Sequence, residues 1–280
     1  RRLKKEIHSF EQVRKNLKND AETQQKHVAK IIEDVFVSNS NHDKTHWFHP
    51  DESNGEKSKS CRIFLFECIL PRLTTSDIDA KFCAKFIELL IQHNVKHFYL
   101  MDFVAVFLEN FNQILASCTH FESRRLGRFL QDFMLTLERL RENESEFEKF
   151  AKREACHFMS YLDFCTEFRK MHRSLTIFLV YLMQSNNLLW QKNSILLLNE
   201  LQLVFPKVLS HAKHLKSKVS VIKQQCDAGT SMYVLCERVI AILENGINKN
   251  SYLDEQKFGG RSIGATQQQP TYVQPPQPAA

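Results

Sequence analysis

The sequence predicts an all-α fold, a helical solenoid of stacked antiparallel helices with a long N-terminal helix and a disordered C-terminal tail, on three observations. Apolar residues recur every three or four positions over most of the chain, the period of helices with one covered face. Glycine and proline number seven each in 280 residues, and half of them fall after Lys257, which leaves too little punctuation for strands and tight turns. Helix-start signatures also stand where the periodic runs begin. With 43% hydrophobic and 25% charged residues, the chain is long enough to bury a sizeable core.

Residues 1–37 read as a charged helix with Leu3, Ile7, Phe10, Val13 or Arg14, and Leu17 at helical spacing, then Val28, Ile31 or Ile32, and Val35. This is an exposed or partner-packed helix. Residues 38–60 form a polar, turn-rich loop in which Trp47 and Phe48 are the expected anchors to the core. The helical domain spans 61–258. Its first helix starts near Arg62 and is expected to break at Pro71, after which Ser76 and Asp79 make an S-x-x-D cap for a helix carrying Ile78, Phe82, Phe86, Leu89 and Leu90. The next helix places Leu100, Phe103, Val104, Phe107, Phe111, Ile114, Leu115 and Cys118 on a wide stripe.

Thr119 and Glu122 form a T-x-x-E capping box that opens a helix with Leu126, Phe129, Leu130, Phe133, Leu137 and Leu140. Phe103, Phe107, Phe129 and Phe133 are the residues expected to hold neighbouring helices together. Amphipathic segments follow around Phe147 to Phe168 and Leu175 to Met183, and Asn187 is the N-cap expected for the next helix. Pro206 interrupts that helix and opens another, to Gln225, with Val208, Ala212, Leu215, Val219 and Ile222 on one face. A last helix runs from about Ser231 to Leu243. The Gly, Gln and Pro composition of 259–280 cannot build a core and predicts disorder.

The stretch Ala116 to Leu130, with a cysteine, a histidine and three arginines, reads as a corner between two helices rather than a site. Gly127 there would let a neighbouring helix approach closely. Arg124, Arg125 and Arg128 would either pair with Glu122 and Asp132 on the surface or face a partner.

Eight cysteines without a C-x-x-C pair predict reduced, buried thiols in a cytosolic or nuclear protein. The uncharged run Ser174 to Gln191 is broken by polar residues 184–187 and falls short of the ~20 apolar residues of a membrane span, so no membrane is expected as a partner. Because the chain opens on Arg1 rather than Met, it is expected to be a piece of something longer.

Histidines His42, His46 and His49, and the Cys156–His157 pair, lack the cysteine spacing of a zinc site, and no metal or cofactor is expected. His93 with His97 and His211 with His214 lack the glutamate of H-E-x-x-H and read as helix-surface side chains. There is no G-x-S-x-G and no phosphate-cradling loop, so no enzyme is expected.

The net charge of +6 has one concentrated contribution. Between Glu200 and Asp227 there is no acidic residue, while Lys207, Lys213, Lys216, Lys218 and Lys223 accumulate. Lys213, Lys216 and Lys223 fall on one side of a helix, where they form either a solvated face or a seat for an RNA backbone whose binding would be salt-dependent.

Four blocks, "CRIFLFECILPRLTTSDIDAKFCAKFIELL", "ASCTHFESRRLGRFLQDFMLTLERL", "FRKMHRSLTIFLVYL" and "WQKNSILLLNELQLVFPKVL", occur in an order and spacing that resemble the THO complex subunit 2 family. The likeness extends from about His27 to Phe258. It implies a helical solenoid within a large, nuclear, non-enzymatic scaffold subunit of the complex that couples transcription to mRNP assembly and mRNA export. The partners it implies are the other THO subunits, a DEAD-box RNA helicase, mRNA export adaptors and RNA.

Overall fold

The computed structural model describes residues 2–38, 47–48, 59–151 and 159–258. The tail 259–280 and the histidines at 42, 46 and 49 lie outside them, as do Cys156 and His157. The fold is all-α. Helix α1, Arg2–Ile32, passes through π-helical turns at Glu33–Ser38, and α2, Lys59–Ile63, continues through a second such stretch, Phe64–Ile69, into α3, Leu70–Leu73. Pro71 does not break this rod. It stands at the start of α3, directly after the π-helical stretch, and the chain turns at Thr74 and Thr75 instead.

Helix α4, Asp77–Gln92, is capped by Ser76, whose Oγ accepts from the Asp79 N–H at 3.1 Å. Helix α5 runs Leu100–Ser117 and α6 runs His120–Glu142, the latter opened by both halves of the Thr119/Glu122 capping box. After α7, Glu144–Ala151, comes α8, Tyr161–Met183, a single helix over what the sequence suggested as two segments. The side chain of Asn187 caps α9, Leu188–Glu200, accepting from Leu189 N–H and Trp190 N–H. Helix α10, Leu209–Gln224, starts three residues after Pro206, because the backbone just before it is extended: Leu253 donates to the Lys207 carbonyl at 2.8 Å and Leu209 donates to Leu253 at 3.0 Å. Helix α11 is Ser231–Asn248 and α12 is Glu255–Phe258.

The helices pack in two layers, with α5, α8 and α10 side by side in one and α4, α6, α9 and α11 in the other. Short links between packed partners, such as the four residues from Gln184 to Asn187, make these neighbours antiparallel, as in a solenoid. Aromatic rings fill the interior: Phe103 meets Phe133 at 5.9 Å, Phe107 meets Phe129 at 6.1 Å, and Phe129 stacks on Phe133 at 5.8 Å. All four are buried, as the sequence suggested.

On α4 the buried face only partly matches the one the sequence suggested: Leu90 joins it, and Phe86 and Leu89 border it. Ala80, Cys83, Ala84, Ile87, Leu90 and Ile91 point inward, while Ile78 and Phe82 are exposed and Phe86 is half-buried. This helix carries two apolar stripes, and α6 selects the one with small residues because a closer approach buries more surface. The outer stripe meets Arg72, whose guanidinium lies 4.1 Å from the Phe82 ring centre, and Trp47, 6.5 Å from the Phe86 ring. Phe48 is buried against Phe98 and Phe64, so this pair does anchor its segment.

The far end is closed by residues 249–258. Phe258 is fully buried against Phe168 and His172, with the Arg141 guanidinium 5.0 Å from its ring.

Candidate partner-binding surfaces

The corner between α5 and α6 is held from a distance. Asn193 of α9 is fully buried, and its amide nitrogen donates to the carbonyls of Leu115 (3.2 Å) and Cys118 (2.6 Å), which are among the orphan acceptors at the end of α5. Its side-chain oxygen lies 3.1 Å from His120 Nδ1, and its backbone carbonyl accepts from Ser123 Oγ at 2.8 Å. Sequence reasoning missed Asn193, because an asparagine inside a helical run has no local signature.

Gly127 brings α6 against α9 at this corner. A Cβ there would stand 2.7 Å from Glu200 Cβ, closer than any real contact. Arg124 reaches Glu200 at 3.3 Å, while Arg128 lies between Asp77 at 3.4 Å and Glu200 at 3.7 Å. Arg125 lies 3.9 Å from Asp77 and donates to the Thr74 carbonyl. The arginines therefore tie α6 to α4 and α9 rather than pairing with Glu122 or Asp132, and Glu122 is held in the capping box. The stretch is a structural corner.

The lysines divide into two groups. On α10, Lys216 pairs with Glu244 at 2.8 Å and Lys223 with Glu237 at 3.0 Å, both carboxylates coming from α11. The Lys223 ammonium also lies 4.7 Å from the Tyr233 ring centre, and its hydrogen bond to Glu237 holds its pKa above the usual lysine value. Lys213 is exposed, and Lys207 and Lys218 are half-buried. The acid-free segment is thus partly neutralised by the next helix.

His211 is buried, not on the helix surface, and it is one of the charges felt by His172. Burial keeps the His172 imidazole neutral, its pKa well below the usual histidine value, with His211, Lys207 and Arg141 adding unfavourable like charge. Burial likewise pushes the Cys83 and Cys236 thiols up to about 11 and Cys118 up to about 12, so these are inert core residues. Among the described residues no group of three His, Cys, Asp or Glu side chains is placed to hold a metal, and no helix is long and apolar enough to cross a membrane.

Three apolar helical faces are also displayed outward. An open basin of about 460 Å³ is lined by Phe64, Ile69, Phe82, Phe86 and Leu90. A groove of about 540 Å³ between α5 and α8 has Met101, Leu108, Met171 and Phe178 in its floor and Asp163 and Glu167 on its edge. A third such face runs along α1. Leu3, Ile7, Phe10, Leu17, Val28 and Ile31 are 48–75% exposed, and only Ile32, Val35 and Phe36 beyond them join the core. The ring of Phe36 stacks on His93 at 4.9 Å.

The sequence model of the Tho2 family, described as transcription factor/nuclear export subunit protein 2, matches residues 1–243. The chain belongs to the Tho2 family. The Tho2 match takes in α1 and ends within α11, before its last turn and the closing segment. A protein named THO complex subunit 2 from Mus musculus is 26% identical over 226 residues, which are 75% of this chain and 14% of that relative. The Homo sapiens protein of the same name gives the same figures, and the one from Arabidopsis thaliana is 24% identical over 206 residues, 70% of this chain and 11% of the relative. The chain thus spans a small part of the length of the curated relatives it matches.

Proposed function

We propose that this chain is a helical part of a THO complex scaffold subunit, acting without catalysis in transcription-coupled mRNP assembly and nuclear mRNA export through protein–protein contacts. The observation that supports it most is the combination of a Tho2 match over residues 1–243 with a stack whose arginine and asparagine clusters are spent internally, while apolar helix faces stay open. Such faces bind proteins rather than process small substrates. Its partners on this reading are the other THO subunits, a DEAD-box RNA helicase and mRNA export adaptors, with RNA bound directly or through them. Recovery of the full-length protein from nuclear extract should bring down THO subunits. A preparation free of them would overturn the reading.

A second reading is direct RNA binding through Lys207, Lys213, Lys216, Lys218 and Lys223, favoured by the acid-free run between Glu200 and Asp227. Ion pairs already engage Lys216 and Lys223, so the test falls on Lys207, Lys213 and Lys218. On this reading, changing all three to Glu lowers RNA affinity and flattens its salt dependence. Unchanged binding removes it.

A further inference from the structure

The exposed face of α1 has a stricter period than the rest of the molecule. Leu3, Ile7, Phe10 and Leu17, then Val28 and Ile31, fall on one seam whose steps alternate between four and three residues, the heptad spacing of a coiled coil. The remaining seam positions are Arg14, Ala21 and Gln24. At 1.5 Å per residue the 31-residue helix is about 46 Å long. Its partner in a coiled coil is missing from the described residues, where the seam from Leu3 to Ile31 stays exposed and α1 joins the core at its last residue, Ile32, and through the π-helical turns that follow.

Charge decides what fits there. In a parallel pair of α1 helices Arg14 would meet a second Arg14 in the same layer of the seam. An antiparallel pair centred on Asn19 aligns Ile7 with Ile31, Phe10 with Val28, and Arg14 with Gln24. It then sets Lys18 against Lys18 and Asp20 against Asp20 at the flanking positions. Both arrangements put like charges together, which argues against a second copy. The helix itself carries eight Lys and Arg side chains against four Asp and Glu. RNA would satisfy that charge but cannot cover an apolar seam of Leu, Ile and Phe.

We propose that α1 is one strand of a heterotypic coiled coil whose other strand is an acidic heptad helix of a different polypeptide, with a carboxylate facing Arg14. This rests on the scaffold reading and names the chemistry of one partner. A polar seam position of this kind fixes register and partner at some cost in stability, and Arg14 serves that purpose here.

The test uses the full-length protein in nuclei, with a photo-crosslinking phenylalanine analogue in place of Phe10. The cross-linked peptide is expected to come from another polypeptide and to have apolar residues at heptad spacing flanked by Asp and Glu. Arg14→Glu should lower the cross-link yield by about tenfold, the effect of losing one close charge pair, whereas Lys15→Glu, the same charge change off the seam, should leave it unchanged. Cross-links within the same polypeptide, to a second copy or to RNA, no cross-link at all, or equal loss in both variants would overturn the inference. If THO subunits are still recovered in those cases, the scaffold reading stands. Their absence alone sinks that reading instead.

Discussion

Helices α6 and α1 carry the same kind of pattern, apolar residues every three or four positions over 23 and 31 residues, and have opposite fates. In α6, Leu126, Phe129, Leu130, Phe133, Leu137 and Leu140 are all buried, covered by α4 and α9 in their own layer and by rings of α5. In α1 the corresponding stripe faces outward. Width separates them. The α6 stripe is broad and rich in phenylalanine, with Gly127 admitting a neighbour, whereas the α1 stripe is a narrow seam interrupted by Arg14 and Gln24. Periodicity alone states that a face must be covered, and width states what kind of cover it takes.

Phe129→Ala should cost about 3–5 kcal/mol in urea or thermal unfolding of this chain, the usual penalty for emptying an aromatic core site. Next comes Asn193→Leu, which leaves the buried carbonyls of Leu115 and Cys118 without their donor and should cost about 2–3 kcal/mol by the same measurement. Gly127→Ala would raise helix propensity by about 1 kcal/mol, yet its Cβ would meet Glu200 Cβ at 2.7 Å. A net loss of about 1–2 kcal/mol is expected, and a gain would show that α9 yields at no cost.

Protonation gives a smaller, graded effect. Because the folded pKa of His172 is depressed, the native state binds fewer protons than the unfolded chain. Stability is therefore full above the ordinary histidine value of 6.5 and falls as pH drops below it, by up to about 1.4 kcal/mol per pH unit. His211, also depressed by burial but with Glu255 acting in the opposite direction, adds to the slope. His172→Phe should flatten the pH dependence measured between pH 6.5 and 5. Smallest of all, Phe10→Ala should shift the unfolding free energy of this chain by less than about 0.5 kcal/mol.

Much of the fold was legible because helix starts are local. Ser76, the Thr119/Glu122 box and Asn187 each satisfy N–H groups within three residues of themselves, so the order of the chain shows them. Side-chain direction was less legible where a helix offers two apolar stripes, as in α4, and where long side chains choose among distant partners. Arg124 and Arg128 reach Glu200, more than seventy positions away, and Lys216 and Lys223 find carboxylates on α11. The Glu255 carboxylate that acts on His211 likewise comes from the closing segment, which returns beside the start of α10. Nothing within a few residues of these side chains announces those neighbours.

On this proposal α1 is built for a partner and the stack for itself. Leu17→Glu in the full-length protein tests this most directly, by comparing recovery of companions from nuclear extract with the melting temperature of this chain carrying the same change. The expected result is an unchanged melting temperature together with loss of at least one companion. A lowered melting temperature, or an undiminished set of companions, would contradict it.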